Sequence, residues 1–131
     1  MKEYRNELIT IEDENRVSVS TKSETKQISL SIDIGVEGYY CDMDILTTKH
    51  IIQLLETAKR ANSFRFSESL NNEGLENRIS IKKKDNKVIL GMDIGVDGLW
   101  TNLTIKETTN VIEMLKETVR KVEKSNKTKK K

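Results

Sequence analysis

Residues 88–121 reproduce the pattern of residues 28–61 at a constant offset of 60 positions, so any fold for this chain has to build one unit twice. Asp33, Ile34, Gly35 and Val36 recur as Asp93, Ile94, Gly95 and Val96, and Gly38 recurs as Gly98. Leu30, Ile45, Thr48, Ile52, Leu55 and Arg60 return as Leu90, Ile105, Thr108, Ile112, Leu115 and Arg120. The mismatches keep their character, as in Ile28 and Val88, Glu37 and Asp97, or Met43 and Leu103. Upstream, Asn15–Val19 matches Asn77–Ile81, with the turn that follows two residues shorter in the second copy. The chain reads as a tandem duplication, with a first unit at 1–61, a second at 62–123 and a Lys-rich tail at 124–131.

Each copy reads as strands followed by one helix. Ile28, Leu30, Ile32 and Ile34 alternate with polar residues, the period of a half-buried strand, and Val88, Leu90, Met92 and Ile94 repeat that face. Val17 and Val19, like Ile79 and Ile81, supply a preceding strand. A third strand carries Cys41, Met43 and Ile45 on one face, matched by Thr101, Leu103 and Ile105. Leu8–Ile11 and Phe64–Phe66 are candidates for a fourth, and 67–76 reads as a loop through Asn71, Asn72 and Gly74. Apolar stripes then place helices at about 48–60 and 108–122, with Thr47 or Thr48 and Thr108 as caps. The expected fold is α+β: two tandem β-β-β(-β)-α repeats, antiparallel sheets with one helix per repeat packed on one face, and a pseudo-two-fold arrangement.

Hydrophobic residues make up 35% and charged residues 34%, so the core is modest and the surface heavily solvated. No stretch approaches the ~18 apolar residues that span a membrane, and residues 1–7 lack the basic-then-apolar layout of a signal peptide. The single Cys41 cannot form an internal disulfide, and the expected location is cytoplasmic. Residues 1–61 hold 8 Lys/Arg against 11 Asp/Glu, residues 62–123 hold 10 against 10, and the tail adds five Lys and no acid. A short Lys-rich tail buries no apolar surface and is expected to be disordered. Many Lys, Asn and Ile with no Pro suggest an AT-rich bacterial or phage source.

Catalytic residues are scarce. A Cys–His pair would need Cys41, on the inferred buried face, and His50, which Asn110 replaces in the other copy. The same two residues are too few for zinc. No metal, cofactor or catalytic set is assigned, and a non-enzymatic protein is expected. Val88–Gly98 resembles the phosphate-binding hairpin of the sugar-kinase and actin-like ATPase families, where Asp-x-Gly follows an apolar strand and approaches nucleotide phosphates. Those families close two large domains around the nucleotide, which 131 residues cannot supply. Asp33–Gly38 also resembles part of a calcium loop, with Asp44 at the twelfth position. Gly35 stands there where a ligand is needed, and Thr104 replaces Asp44 in the other copy.

The outward strand positions are more informative. If Cys41, Met43 and Ile45 point inward, Tyr40, Asp42 and Asp44 point outward, and their counterparts are Trp100, Asn102 and Thr104. Both copies therefore place a large aromatic on an outer face near Asp33 or Asp93, unless these rings fill a seam between the repeats. The leading expectation is a small regulatory module, an adaptor or inhibitor, that binds another protein through Tyr40, Trp100, Asp42, Asn102, Asp33 and Asp93. The alternative is single-stranded nucleic acid binding. Bases would stack on Tyr39, Tyr40 and Trp100, with cations from Lys82, Lys83, Lys84, Lys129, Lys130 and Lys131. The doubled strands-then-helix unit is similar to the dimeric coactivator-type single-stranded-DNA-binding fold, a resemblance of topology that implies the second role.

Overall fold

Two hairpin turns show how the alternating segments become meanders. Asp85 and Asn86 both take positive φ (51° and 65°), the left-handed pair that joins two antiparallel strands with matching twist. Gly35, at φ +62°, opens a two-residue turn at 35–36 in the first half, between its third and fourth strands, where a side chain would be strained. The computed structural model describes residues 4–21, 27–72, 75–94 and 97–128. The first sheet runs in the order β1 (Arg5–Ile9), β2 (Arg16–Thr21), β3 (Ile28–Ile34) and β4 (Glu37–Met43), and α1 (Ile45–Arg60) follows. The second sheet is β5 (Phe64–Asn72), β6 (Leu75–Lys84), β7 (Lys87–Ile94) and β8 (Asp97–Thr104), followed by α2 (Ile105–Thr128). All neighbouring strands are antiparallel.

Several boundaries differ from the sequence expectation. The fourth strand exists in both sheets, but the stretch 67–76 expected as a loop is mostly strand, since Ser67 pairs with Ser80 and Asn72 with Leu75. Pairing along the whole of β6 overrides the low strand propensity of Ser and Asn. The helices begin three residues early. Asp44, not Thr47 or Thr48, caps α1, and its carboxylate accepts from the Thr47 N–H at 2.7 Å. Thr104, not Thr108, caps α2 in a reciprocal box. The Glu107 N–H donates to the Thr104 hydroxyl at 3.1 Å, and the Thr104 N–H donates to the Glu107 carboxylate at 2.9 Å. The tail expected to be disordered continues α2 as far as Thr128, while Lys129, Lys130 and Lys131 lie outside the described residues.

The inward strand residues and the helix stripes form one hydrophobic cluster that draws on both halves. Val17, Leu30 and Ile32 meet in it with Ile51 and Leu55 of α1, Ile81, Leu90 and Leu103 of the second sheet, and Leu115 of α2. The helices cross over. α1 packs against β5, β6 and β7 more than against β4, and α2 reaches β1 and β2 as well as β7 and β8. One residue separates β4 from α1 and none separates β8 from α2, so neither helix has a loop with which to fold back over its own sheet.

Two buried charges hold this exchange. Lys83 of β6 is only 8% exposed, and its ammonium donates to the carbonyls of Ala58 (3.2 Å), Lys59 (3.0 Å) and Ala61 (2.8 Å) at the end of α1. A helix C-terminus carries unpaired carbonyls and partial negative charge, which a cation satisfies. Glu107, 5% exposed, uses its second oxygen to accept from the Ile11 N–H of the first half at 2.7 Å.

Glu107→Ala should cost about 1–2 kcal/mol, because it removes one half of the capping box and the acceptor of the Ile11 N–H. Asp44→Ala should cost about 1 kcal/mol at neutral pH. The Thr47 N–H holds the Asp44 carboxyl below its ordinary 3.8, so this contribution is complete above that value and fades as pH falls through the lower folded value. Denaturant unfolding of the wild type and Asp44→Ala at pH 7 and near pH 2 should show the gap between them closing in acid.

Candidate functional site

With the inner faces committed to the core, each sheet leaves one face to solvent, and strand register sets which side chains share it. On the second sheet one row runs Arg65, Lys82, Ile89, Asn102, and the next runs Ser67, Ser80, Gly91, Trp100. A third joins Arg78, Asp93 and Gly98. On the first sheet the corresponding rows are Arg5, Ser20, Ser29, Asp42, then Glu7, Ser18, Ser31, Tyr40, then Ile9, Arg16, Asp33, Gly38. Trp100 is 62% exposed and Tyr40 54%, so neither ring fills a seam between the halves.

The two faces differ in charge. On the first, Glu7 pairs with both Arg16 (3.4 Å) and Arg5 (3.8 Å). Asp42 accepts from the Ser29 hydroxyl, and the hydroxyls of Ser18 and Ser31 bond to each other. Its arginines are therefore matched within the face. On the second, Ser67 stands where Glu7 would, Lys82 where Ser20 would, and Ile89 where Ser29 would. Arg65, Arg78 and Lys82 lie on that face with Asp93, and Asp13 reaches its edge at Asn102.

The second face also has a hollow of about 350 Å³, bordered by Lys82, Ile89, Gly91, Asp93, Trp100 and Asn102 together with Ser80. Gly91 makes its floor, where a Cβ would come within 2.5 Å of the Ser80 hydroxyl and 3.5 Å of the Trp100 Cβ. In the first sheet Ser31 occupies this place. Asn102 is held from outside, because Asp13 in the loop between β1 and β2 accepts from its backbone N–H (2.8 Å) and its side-chain Nδ2 (3.1 Å). Asn15 Nδ2 donates to the neighbouring Thr101 hydroxyl at 3.1 Å, so this loop covers part of the outer edge of β8.

The remaining expected residues separate into two groups. Lys82 and Lys84 are exposed on the outer face, but Lys83 is turned inward and serves the end of α1. Tyr39 is half-buried and packs against the core, away from Tyr40, since successive strand residues point to opposite faces. Asp33 and Asp93 lie on their outer faces over Gly38 and Gly98, where a Cβ would collide with the carboxylate oxygen. That packing accounts for the shared Asp and second Gly of the motif without a nucleotide. Asp44 caps a helix, which removes it from the calcium pattern. Arg65, Arg78, Gly91 and Asp13 were not singled out from the sequence, although Arg65 and Arg5, like Arg78 and Arg16, hold matching strand positions in the two halves.

Cys41 is completely buried, and its thiol is pushed up to about 12 by burial and then by the negative charge of Asp42. His50 is exposed on α1, with its ring edge-on to Phe66. Among the described residues, no three His, Cys, Asp or Glu side chains group closely enough to hold a metal ion. No described helix is long and apolar enough to cross a membrane. No known family model matches the chain, and no curated protein matches it.

Trp100→Ala should change folding stability by less than about 1 kcal/mol, as exposed positions usually do, whereas Leu103→Ala should cost about 2–5 kcal/mol. Cys41 should resist thiol reagents at pH 8 in the native protein and react at once in denaturant, which a colorimetric thiol assay reads directly.

Proposed function

We propose that the protein binds single-stranded nucleic acid on the outer face of its second sheet, with no catalytic step. The observation that carries this reading is Trp100, exposed over the Gly91 floor in one hollow with Lys82, on a face that also carries Arg65 and Arg78. An indole offers any base a stacking surface, and cations beside it meet the phosphates, the combination that sequence-tolerant binding to single strands uses. The make-up of the face also favours nucleic acid over a protein partner here, because its described residues form no broad apolar patch. The doubled strands-then-helix order supports the same role through its likeness in topology to the coactivator-type fold. We read the two halves as copies of one ancestral unit, packed about a pseudo-two-fold axis, of which one copy has kept or acquired the ligand face.

A protein partner is the second reading, and it belongs to the first sheet. Tyr40 stands exposed there on a face whose charges are already matched, which is the setting of an aromatic anchor. The regulatory role, the bacterial or phage source and the cytoplasmic location go with either reading as expectations from composition.

A labelled 12-nucleotide single strand titrated by fluorescence anisotropy tests the proposal. Trp100→Ala should weaken binding by about 5- to 150-fold, since stacking on an aromatic contributes about 1–3 kcal/mol per base. Tyr40→Ala should leave binding unchanged. With three cations engaged, affinity should fall about 20-fold between 50 and 200 mM salt. No binding at 50 mM salt, or equal losses from Trp100→Ala and Tyr40→Ala, would remove this reading of the second face.

A further inference from the structure

Resting on the nucleic-acid reading, we infer that the Trp100 hollow selects guanine, with Asp93 as the residue that reads it. A base stacked on Trp100 lies in the row of Gly91, between the row of Lys82 and Asn102 on one side and Asp93 on the other. Asp93 packs over Gly98 and repels phosphate, but its carboxylate also borders the hollow, where a base edge can meet it. A carboxylate accepts two parallel N–H bonds, and guanine alone presents adjacent donors, N1–H and the N2 amine, on its pairing edge. Adenine and cytosine offer one amine beside a ring-nitrogen acceptor, and thymine or uracil offers one N–H between two carbonyls, so each would set a lone pair against the carboxylate.

The opposite border fits the same base. Guanine carries O6 and N7 as acceptors on its remaining polar edge, and the Lys82 ammonium is a donor without acceptor capacity. The Asn102 amide is held at the edge by Asp13, so Lys82 is the donor on that side. The hollow thus places an acceptor at Asp93 and a cation at Lys82 on opposite sides of the stacked base. Gly98 is part of the device, because only the absence of its Cβ lets the Asp93 carboxylate lie where it does. The first sheet keeps Asp33 and Gly38 but has neither the Gly91 floor nor a counterpart of Lys82, so it lacks the place for the base.

Anisotropy titrations of the full chain with d(TG)6, d(TA)6, d(TC)6 and dT12 test this, with d(TI)6 as the control, since inosine lacks the N2 amine. Binding to d(TG)6 should be tighter than to the other three by about tenfold, within the range a bidentate base contact supplies, and d(TI)6 should lose most of that gain. Asp93→Asn should remove the preference, bringing the d(TG)6 and dT12 affinities within about twofold of each other, with thermal stability within a few degrees of wild type. Gly98→Ala, which displaces the carboxylate without changing charge, should do the same. A guanine preference in d(TG)6 or in r(UG)6 supports the proposal, and the tighter of the two names the strand. Equal binding of all four DNA repeats, or a guanine preference that survives Asp93→Asn, overturns the guanine assignment and leaves the face intact as a binding surface. Failure of every strand to bind at low salt overturns the nucleic-acid reading itself.

Discussion

The rest of the molecule depends on the exchange of helices between the halves. Because α1 lies mainly on the second sheet and α2 reaches across to the first, the inner faces of both sheets close into one core, and neither half buries its apolar surface alone. The exchange is held at its ends by opposite charges. Lys83 supplies a cation to the carbonyls that end α1, and Glu107 supplies an anion to the Thr104 N–H at the start of α2 and to the Ile11 N–H in the first half. Each charge matches the sign of the helix terminus it meets, and each is buried with its hydrogen bonds made, which is the condition for keeping an ion out of water.

Closing one core has a direct consequence for the surface. The inner faces are constrained in both halves by the same packing, and so they resemble each other closely. The outer faces carry no such constraint and differ. Three positions account for most of the difference: Glu7 against Ser67, Ser20 against Lys82, and Ser31 against Gly91. The first removes the acid that neutralises two arginines, the second adds a cation, and the third opens a floor beneath an aromatic. The first face pairs its arginines with Glu7, while the second carries Lys82 beside an exposed indole.

Much of this was legible in the sequence, and the parts that were not share a cause. Alternation of apolar residues located most strands, and the 3.6-residue stripes located both helices, because these periods reflect neighbours along the chain. The outward direction of Tyr40 and Trp100 followed from the same alternation. Applied consistently, it would also have turned Tyr39 inward with Cys41 and Met43, and Lys83 inward with Ile79 and Ile81. In both cases residue type outweighed position, an aromatic grouped with its neighbour and a lysine with its run. The stretch 67–76 was misread because its Ser, Asn and Gly favour turns when considered alone, while the strand there is stabilised by pairing with β6. The helix starts were misplaced because Asp44 and Thr104 were counted as strand residues, although both have the oxygen a cap requires.

The sequence by itself determined the doubled order of strands and helices, the inner and outer faces, and the two outward aromatics. Each is set by local periodicity, which a residue carries wherever its segment comes to rest. Only the tertiary structure decided which sheet each helix covers, that Asp13 grips Asn102 across 89 positions of chain, and that Gly91, Trp100, Lys82 and Asp93 border one hollow. Contacts of that kind depend on strand register and on the crossing of the helices. Both are settled by closing a shared core, and residues far apart in the chain carry no local signal of it.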